Sequence, residues 1–412
     1  MSGRLHVEAA ERADAAAQAA PARRHAHIAQ RAGRRLRVAL VVEAAGGGVA
    51  VHVADLIDGL AAAGIEVHLI GPTGARFDTS ILHDAILRRC TSVVRVPMQR
   101  AVSWRDARAY VDVFRALARI APDIVHSHSS KAGVLARACI GAWRHVYTPH
   151  AFYTLNPYLS PGSRWLYGSI ETLFGKWRTD RVIAVSDDEA RHATGSLRIP
   201  ARAVRTIHNG VPGFALLSRD AARAALGIAG DAFTVGFVGR FSFQKGVDRL
   251  VAAAARLNER YGARLQIAVI GIGDFAAQAG CGAAALSANL KLIGRVQDAR
   301  RYFSAFDAFV LPSRYEGFPY VYLEAMAARL PVVTTRVAGA DEVVGRHDVG
   351  IVVDNVDDPA ALAGALGTLF EDGAARARMA ANCTRAIAHF SASGMVRRTL
   401  ELYHDVLNGG SR

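Results

Sequence analysis

Short apolar runs recur along the whole chain. Each is followed by a loop of small or polar residues and then by a stretch with apolar positions three and four apart. In the first half the runs are LRVALVVE (36–43), IEVHLIGP (65–72), SVVRVPM (92–98), DIVHSH (123–128), HVYTPH (145–150), RVIAVS (181–186) and VRTIHN (204–209). In the second half they are FTVGFVG (233–239), LQIAVIGIGD (265–274), NLKLIGRV (289–296), DAFVLPS (307–313), LPVVTTR (330–336) and GIVVDN (350–355). A continuous rather than alternating apolar run marks a strand covered on both faces, as in a parallel sheet. The intervening stretches, such as VAVHVADLIDGLAAAG (49–64), residues 81–90, 104–120 and 298–306, carry helical spacing. This rhythm in both halves predicts an α/β protein of two doubly wound parallel sheets.

The turn residues Asn209, Gly210, Pro212 and Gly213 mark the boundary. The expected organisation is an Ala/Arg-rich disordered tail over 1–35, a first Rossmann-like domain over 36–210, and a second over 211–385. A final helical segment over 386–412 is expected to pack back on the first domain. In doubly wound sheets, ligands bind beyond the carboxyl ends of the strands. The chemically distinctive residues cluster at such ends: Gly46 to Gly48, Ser127 to Lys131, His150, Arg240, Gly271 to Gly273 and Glu316. One cleft shared by both domains follows.

The richest stretch is RYEGFPYVYLEAMAAR (314–329). Pro319 suits a helix start, and YVYLEAMAA continues with good helix formers. Glu316 then sits just before a helix and Glu324 near its second turn. At about 1.5 Å rise per residue, the two carboxylates can address one ligand from two heights. The amides of Gly317 and Phe318 favour an anion or a hydroxyl-rich ligand. The plainer alternative is a solvated helix start with two exposed glutamates.

Other loops offer related chemistry. Gly47 and Gly48 let backbone amides approach a phosphate or sugar, though the spacing is not that of a dinucleotide fingerprint. Ser127, His128, Ser129 and Lys131 suit an anionic or polyhydroxylated ligand, or Ser129 or Ser130 serves only as a helix cap. Arg240 offers a planar fork for phosphate oxygens and Lys245 a mobile point charge. No Asp-x-Asp accompanies them, so no metal and no cofactor is expected. Residues 155–178 mix aromatic and basic side chains, including Tyr158, Trp165, Lys176 and Trp177. That mixture suits a membrane interface or a half-buried helix.

Composition narrows the classes. Of the 412 residues, 51% are hydrophobic and 21% charged, enough for a large core. The four cysteines are far apart, which suggests neither a disulfide framework nor a zinc ribbon and fits a reducing cytoplasm. No apolar run reaches the roughly 20 residues of a membrane span. The net charge of +14 is uneven: +4 in the tail, +7 over 36–210 and +3 thereafter. A basic first domain can attract an anionic lipid surface or a phosphorylated substrate. No nucleic-acid-binding signature accompanies the charge, so nucleic acid is not an expected partner.

The spacing of Glu316 and Glu324, the wording EGFP and TPHAF, and the segment FTVGFVGRFSFQKGVDRLVAA with its Arg240 and Lys245 together resemble glycosyltransferase family 4. The resemblance covers residues 36 to 385 and has the motifs in the family's order. It implies a GT-B fold and a retaining, metal-independent transferase using a UDP- or GDP-sugar. By resemblance, His150, Arg240, Lys245 and Glu316 are the catalytic set. Gly47, Gly48, Gly317, Phe318 and Glu324 hold the donor. Ser127, His128, Ser129 and Lys131 lie on the acceptor side. The family's common roles suggest a lipid-linked or glycan acceptor in polysaccharide or lipopolysaccharide assembly, with the protein cytoplasmic or peripheral on the inner membrane face. Alternatives on a related plan are a UDP-sugar 2-epimerase, a non-catalytic nucleotide-sugar-binding subunit and, more remotely, a nicotinamide dehydrogenase.

Overall fold

The structure is a computed structural model that describes residues 30–31, 34–99, 103–228, 230–282 and 285–409. The sheet of the first domain has seven strands among the described residues: β1 (Arg37–Val42), β2 (Glu66–Pro72), β3 (Ser92–Val96), β4 (Ile124–His128), β5 (Arg144–Thr148), β6 (Arg181–Ala184) and β7 (Val204–Thr206). Their order is β3-β2-β1-β4-β5-β6-β7, all parallel. The second domain adds β8 (Phe233–Arg240), β9 (Leu265–Ile272), β10 (Leu290–Gly294), β11 (Ala308–Leu311), β12 (Val332–Thr335) and β13 (Gly350–Val353). Its order is β10-β9-β8-β11-β12-β13, again all parallel. In both sheets the winding reverses beside the first strand, between β1 and β4 and between β8 and β11. Those are the switch points where crevices open.

The strands are apolar because helices cover both faces. Leu36, Val38 and Leu40 face α1 (Gly47–Ala62), while Ala39 and Val41 face α2 (Arg105–Ile120) and α3 (Ser130–Ala138). Next in the chain come α4 (Pro161–Trp177) and α5 (Asp187–Gly195), then α6 (Val247–Tyr261) and α7 (Tyr320–Ala327) in the second domain. The final helix, α8 (Ala392–Asn408), packs on α1, where a Cβ on Gly59 would lie 2.6 Å from Val396. Tyr403 of α8 also reaches His126 on β4. The chain crosses between domains twice, and the crossings run side by side. Val211 donates to Phe390 O at 2.9 Å, and Ala392 donates to Val211 O at 3.2 Å.

Three local expectations change. Residues 1–29 of the expected tail lie outside the described residues, but the chain is organised before residue 36. The Arg34 guanidinium forks onto the buried Asp123 carboxylate at 2.7 and 2.9 Å, a partner that a carboxylate 3% exposed requires. The helix expected over 298–306 is a 3-10 turn, Ala299–Ala305. Phe303 and Phe306 both enter the core three residues apart, a spacing that the tighter turn aligns. The helix expected over 81–90 shrinks to Asp84–Leu87, which buries no residue fully and so lacks the packing that stabilises a short helix.

Candidate active site

On the second-domain side, β8 ends in Arg240, which is exposed and makes no ion pair among the described residues. A turn, Phe243–Lys245, leads into α6 through Gly246 at φ +65°. A Cβ on Gly246 would sit 2.2 Å from Pro312 O, so this glycine lets the turn press against the end of β11. That contact places Lys245 beside Glu316. Lys245 Nζ lies 2.6 Å from Glu316 Oε1, which also accepts from Ser313 Oγ at 2.7 Å. Gln244 donates to Glu316 Oε2 at 3.3 Å. Glu316 is only 8% exposed, so it is not the solvated glutamate of the plainer alternative. Beneath it, Arg314 forks onto Asp248 at 2.8 and 2.5 Å and reaches Asp357 at 3.0 Å. These bonds tie the acidic loop to α6 and raise Arg314's pKa further.

Pro319 stands just ahead of α7 rather than within its first turn. Gly317 faces the first domain, and its added Cβ would lie 2.8 Å from Ala151 N. Only glycine permits that approach, and it sets the acidic loop against the turn that carries His150. The Phe318 ring packs on His208 and Phe390, while its carbonyl accepts from Asn209 Nδ2 at 3.0 Å. Its ring therefore serves the domain interface. Burial pushes Glu324 up to about 7, opposed by Arg300. Burial likewise pushes Asp55, on α1, up to about 7. Burial, and after it the charges of Asp55 and Glu324, holds the Tyr320 phenol well above its ordinary range.

On the first-domain side, α1 begins at Gly47 (φ +57°) with neither a side-chain cap nor an acidic residue in its first turn. Its positive end favours an anion. Gly48 meets Tyr320, where a Cβ would be 3.1 Å from the ring. His150 and Ala151 both have positive φ, +56° and +92°. Such strain persists only where surroundings impose it. Here Glu189, fully buried on α5, accepts from Ala151 N at 2.7 Å, Phe152 N at 3.1 Å and Val185 N at 2.7 Å. Ser186 Oγ caps the helix by accepting from Glu189 N.

The expected loop divides: Ser127 and His128 belong to the end of β4, and Lys131 to the first turn of α3. Ser127 and His128 are fully buried. Ser129 (φ +74°) precedes α3 without capping it, its buried Oγ has no partner among the described residues, and Ser130 is already helical, so the capping alternative does not hold. Lys131 is held by Asp106 at 2.7 Å and by Gln99 O.

Sequence reasoning missed four residues here. His52 on α1 and His126 on β4 join His128 and His150 in one cluster, with ring centroids 4.1 to 5.5 Å apart for the neighbouring pairs. Burial lowers His52 to about 4 and holds the other three well below the ordinary imidazole range, helped by their mutual repulsion. His52 could have been found as the residue one helical turn beyond Gly48. Tyr403 and Glu189 leave no local signal.

The chain matches two family models in sequence order: Glycosyltransferase Family 4 over residues 46–212 and Glycosyl transferases group 1 over 218–385. It is 31% identical over 313 residues to a D-inositol 3-phosphate glycosyltransferase of Corynebacterium urealyticum, spanning 69% of this chain and 72% of that one. The chain belongs to glycosyltransferase family 4. Its fold is that of the GT-B enzymes. The sucrose-phosphate synthase of Thermosynechococcus elongatus superposes with a TM-score of 0.76 at 22% identity, over 91% of this chain and all of that one. Anabaena Alr3699/HepE, solved with UDP and glucose, superposes with a TM-score of 0.73 at 19% identity, over 89% and 99%. The family 4 assignment makes the chain a glycosyltransferase.

Proposed function

We propose that this transferase moves a sugar from a UDP- or GDP-sugar to an acceptor with retention of configuration and without a metal. The observation that carries the reading is the Lys245–Glu316 pair, set against the His150 turn through Gly317. Arg240 and Lys245 stabilise charge growing on the departing diphosphate, and they do so more in the transition state than in the ground state. Glu316 and the amides of Gly317 and Phe318 hold sugar hydroxyls. Glu324 takes the ribose. His150 meets the sugar near its reacting carbon, and Gly47 and Gly48 approach the phosphate. The anomeric carbon–phosphate oxygen bond breaks while the acceptor oxygen bonds on the same face. The acceptor proton passes to the leaving phosphate. The cations supply the charge that a metal would otherwise bring.

The acceptor we propose is a lipid-linked glycan, met at an anionic membrane surface. Among the described residues, no helix is long and apolar enough to cross a membrane. On α4, however, Trp165, Leu166, Leu173 and Trp177 share one face at helical spacing, with Trp165 72% and Trp177 67% exposed. The charge excess of the first domain complements anionic headgroups. A phosphorylated polyol is the second reading, favoured by the relative named for inositol 3-phosphate.

The test is nucleoside diphosphate release from UDP- and GDP-sugars, with and without EDTA, with Arg240→Ala as control. Release of one diphosphate, insensitive to EDTA and lost in the variant, supports the reading. No binding of any nucleotide sugar refutes it. Transfer to a soluble polyol phosphate, with no response to anionic liposomes, selects the second acceptor.

A further inference from the structure

The four clustered histidines are not equivalent. His126 has both ring nitrogens engaged, Nδ1 with Tyr403 Oη at 2.7 Å and Nε2 with Thr148 Oγ1 at 2.8 Å. His52 and His128 each keep a buried Nε2 with no partner among the described residues. The tautomer of His52 is set from the second domain. Asn209 donates Nδ2 to Phe318 O at 3.0 Å, so its Oδ1 is turned to accept from His52 Nδ1 at 3.1 Å. His52 Nε2 therefore presents a bare lone pair inside the protein. A buried acceptor without a donor costs free energy, and such an exception calls for an explanation.

One ring nitrogen from each of His52, His128 and His150 lies within 4.8 Å of the other two. His128 Nδ1 and His150 Nε2 are already 3.1 Å apart. We propose that His52, His128 and His150 form a binding site for a zinc-class divalent cation, and that its occupancy withdraws His150 from the sugar donor. A tetrahedral zinc ion with Zn–N of about 2.0–2.1 Å spaces its nitrogens about 3.3–3.4 Å apart, so small inward ring rotations close the site. Ligation needs neutral imidazole, the form that burial favours here. Three imidazoles without a carboxylate select zinc over magnesium or calcium. Asn209 Oδ1 supplies the outer hydrogen bond that ligating histidines ordinarily make. The ion is inhibitory rather than catalytic. The binding half of the proposal stands on the geometry alone, and the inhibitory half rests on the role proposed above for His150.

The experiment uses the full chain stripped by chelator. Zinc is titrated against a competing chromophoric chelator, and cobalt is added separately to look for the visible band of a tetrahedral site. His52→Gln keeps a polar partner for Asn209, and His128→Asn removes a second ligand; circular dichroism and melting confirm their folds. One zinc per chain is expected, bound at least about ten-fold more weakly by each variant. Sugar transfer by the wild type should fall as zinc rises, in competition with donor, and recover with EDTA. Absence of stoichiometric binding, or equal binding by both variants, overturns the site. Zinc kept by His52→Gln but lost in Glu342→Gln moves the ion to the interdomain trio Asp187, His208 and Glu342, and also overturns it. Zinc binding at the histidines without inhibition overturns the inhibitory half. A chain that binds zinc yet transfers no sugar from any donor leaves the site standing and refutes the proposed function instead.

Discussion

The two walls of the cleft are built on one topology and carry opposite chemistry. The second domain presents charge: Arg240 at a strand end and Lys245 paired with a nearly buried Glu316, underpinned by the Arg314 bonds. The first domain presents neutral groups: four imidazoles held uncharged by burial, a helix start and two strained backbone turns. Charge buried in one wall must be paired, which fixes its position; neutral polar groups in the other can exchange hydrogen bonds at smaller cost. On the roles proposed above, the contrast suggests a division of labour: the charged wall balances the diphosphate's charge and grips the sugar hydroxyls, while the neutral wall brings His150 to the reacting carbon and faces the acceptor.

The sharpest way to break that division is Lys245→Ala. It removes a preorganised cation and leaves Glu316 without its ion-pair partner, so kcat should fall about 10²–10³-fold at unchanged fold, read by steady-state release of nucleoside diphosphate. A variant retaining more than a tenth of wild-type turnover would remove Lys245 from the charged wall. Glu189→Gln comes next. The amide group must turn a donor toward backbone N–H groups that now meet a carboxylate, at a cost on the order of 2 kcal/mol. Because Glu189 holds the turn after His150 and none of the groups proposed to hold the nucleotide, turnover should drop about ten-fold while UDP or GDP affinity stays constant in calorimetry. Equal losses in both would make Glu189 a fold residue only.

A smaller effect is tied to pH. Burial raises Asp55 and Glu324 to about 7, above their unfolded values near 4. Between those values the folded chain binds more protons than the unfolded one. Their stabilising contribution is therefore full below about 4 and is lost as pH rises through about 7. Melting temperature should decline from pH 5 to pH 8, and Asp55→Asn should flatten that decline. An unchanged slope would show that these carboxyls stay ionised. The smallest effect is expected outside the cleft: Trp165→Ala and Trp177→Ala should each weaken binding to anionic liposomes several-fold and leave donor hydrolysis untouched. Liposome binding unaffected by both changes would detach α4 from the membrane reading.

The charged wall was the more legible of the two. Arg240 ends an apolar strand, Lys245 and Glu316 follow such strands ahead of a helix, and both sheets follow from the same alternation of periods. Local sequence carries such features because strands and helices form from neighbouring residues. The neutral wall was only half visible. His150 stood at a strand end, whereas His52 looked like a polar position on a helix, and its role depends on Asn209, 157 positions away. Glu189 carried no local signal; its grip on Ala151 and Phe152 exists only once β5 and β6 lie side by side. Lys131 shows the converse. Its place beside small hydroxyls suggested a ligand cation, and Asp106 on α2, brought close by packing, takes up its charge.

The paired crossings between domains have a mechanical consequence. A single linker lets two bodies swivel, tilt and slide. Here the outgoing strand at Val211 and the returning strand at Ser391 are bridged in parallel, and Gly210 leaves no room for a side chain, since an added Cβ would lie 2.2 Å from Ser391 O. Two adjacent connections resist torsion the way two pins hold a door. What remains easy is bending about the line that joins them, which opens and shuts the cleft while keeping Lys245 and Glu316 on a fixed arc toward His150.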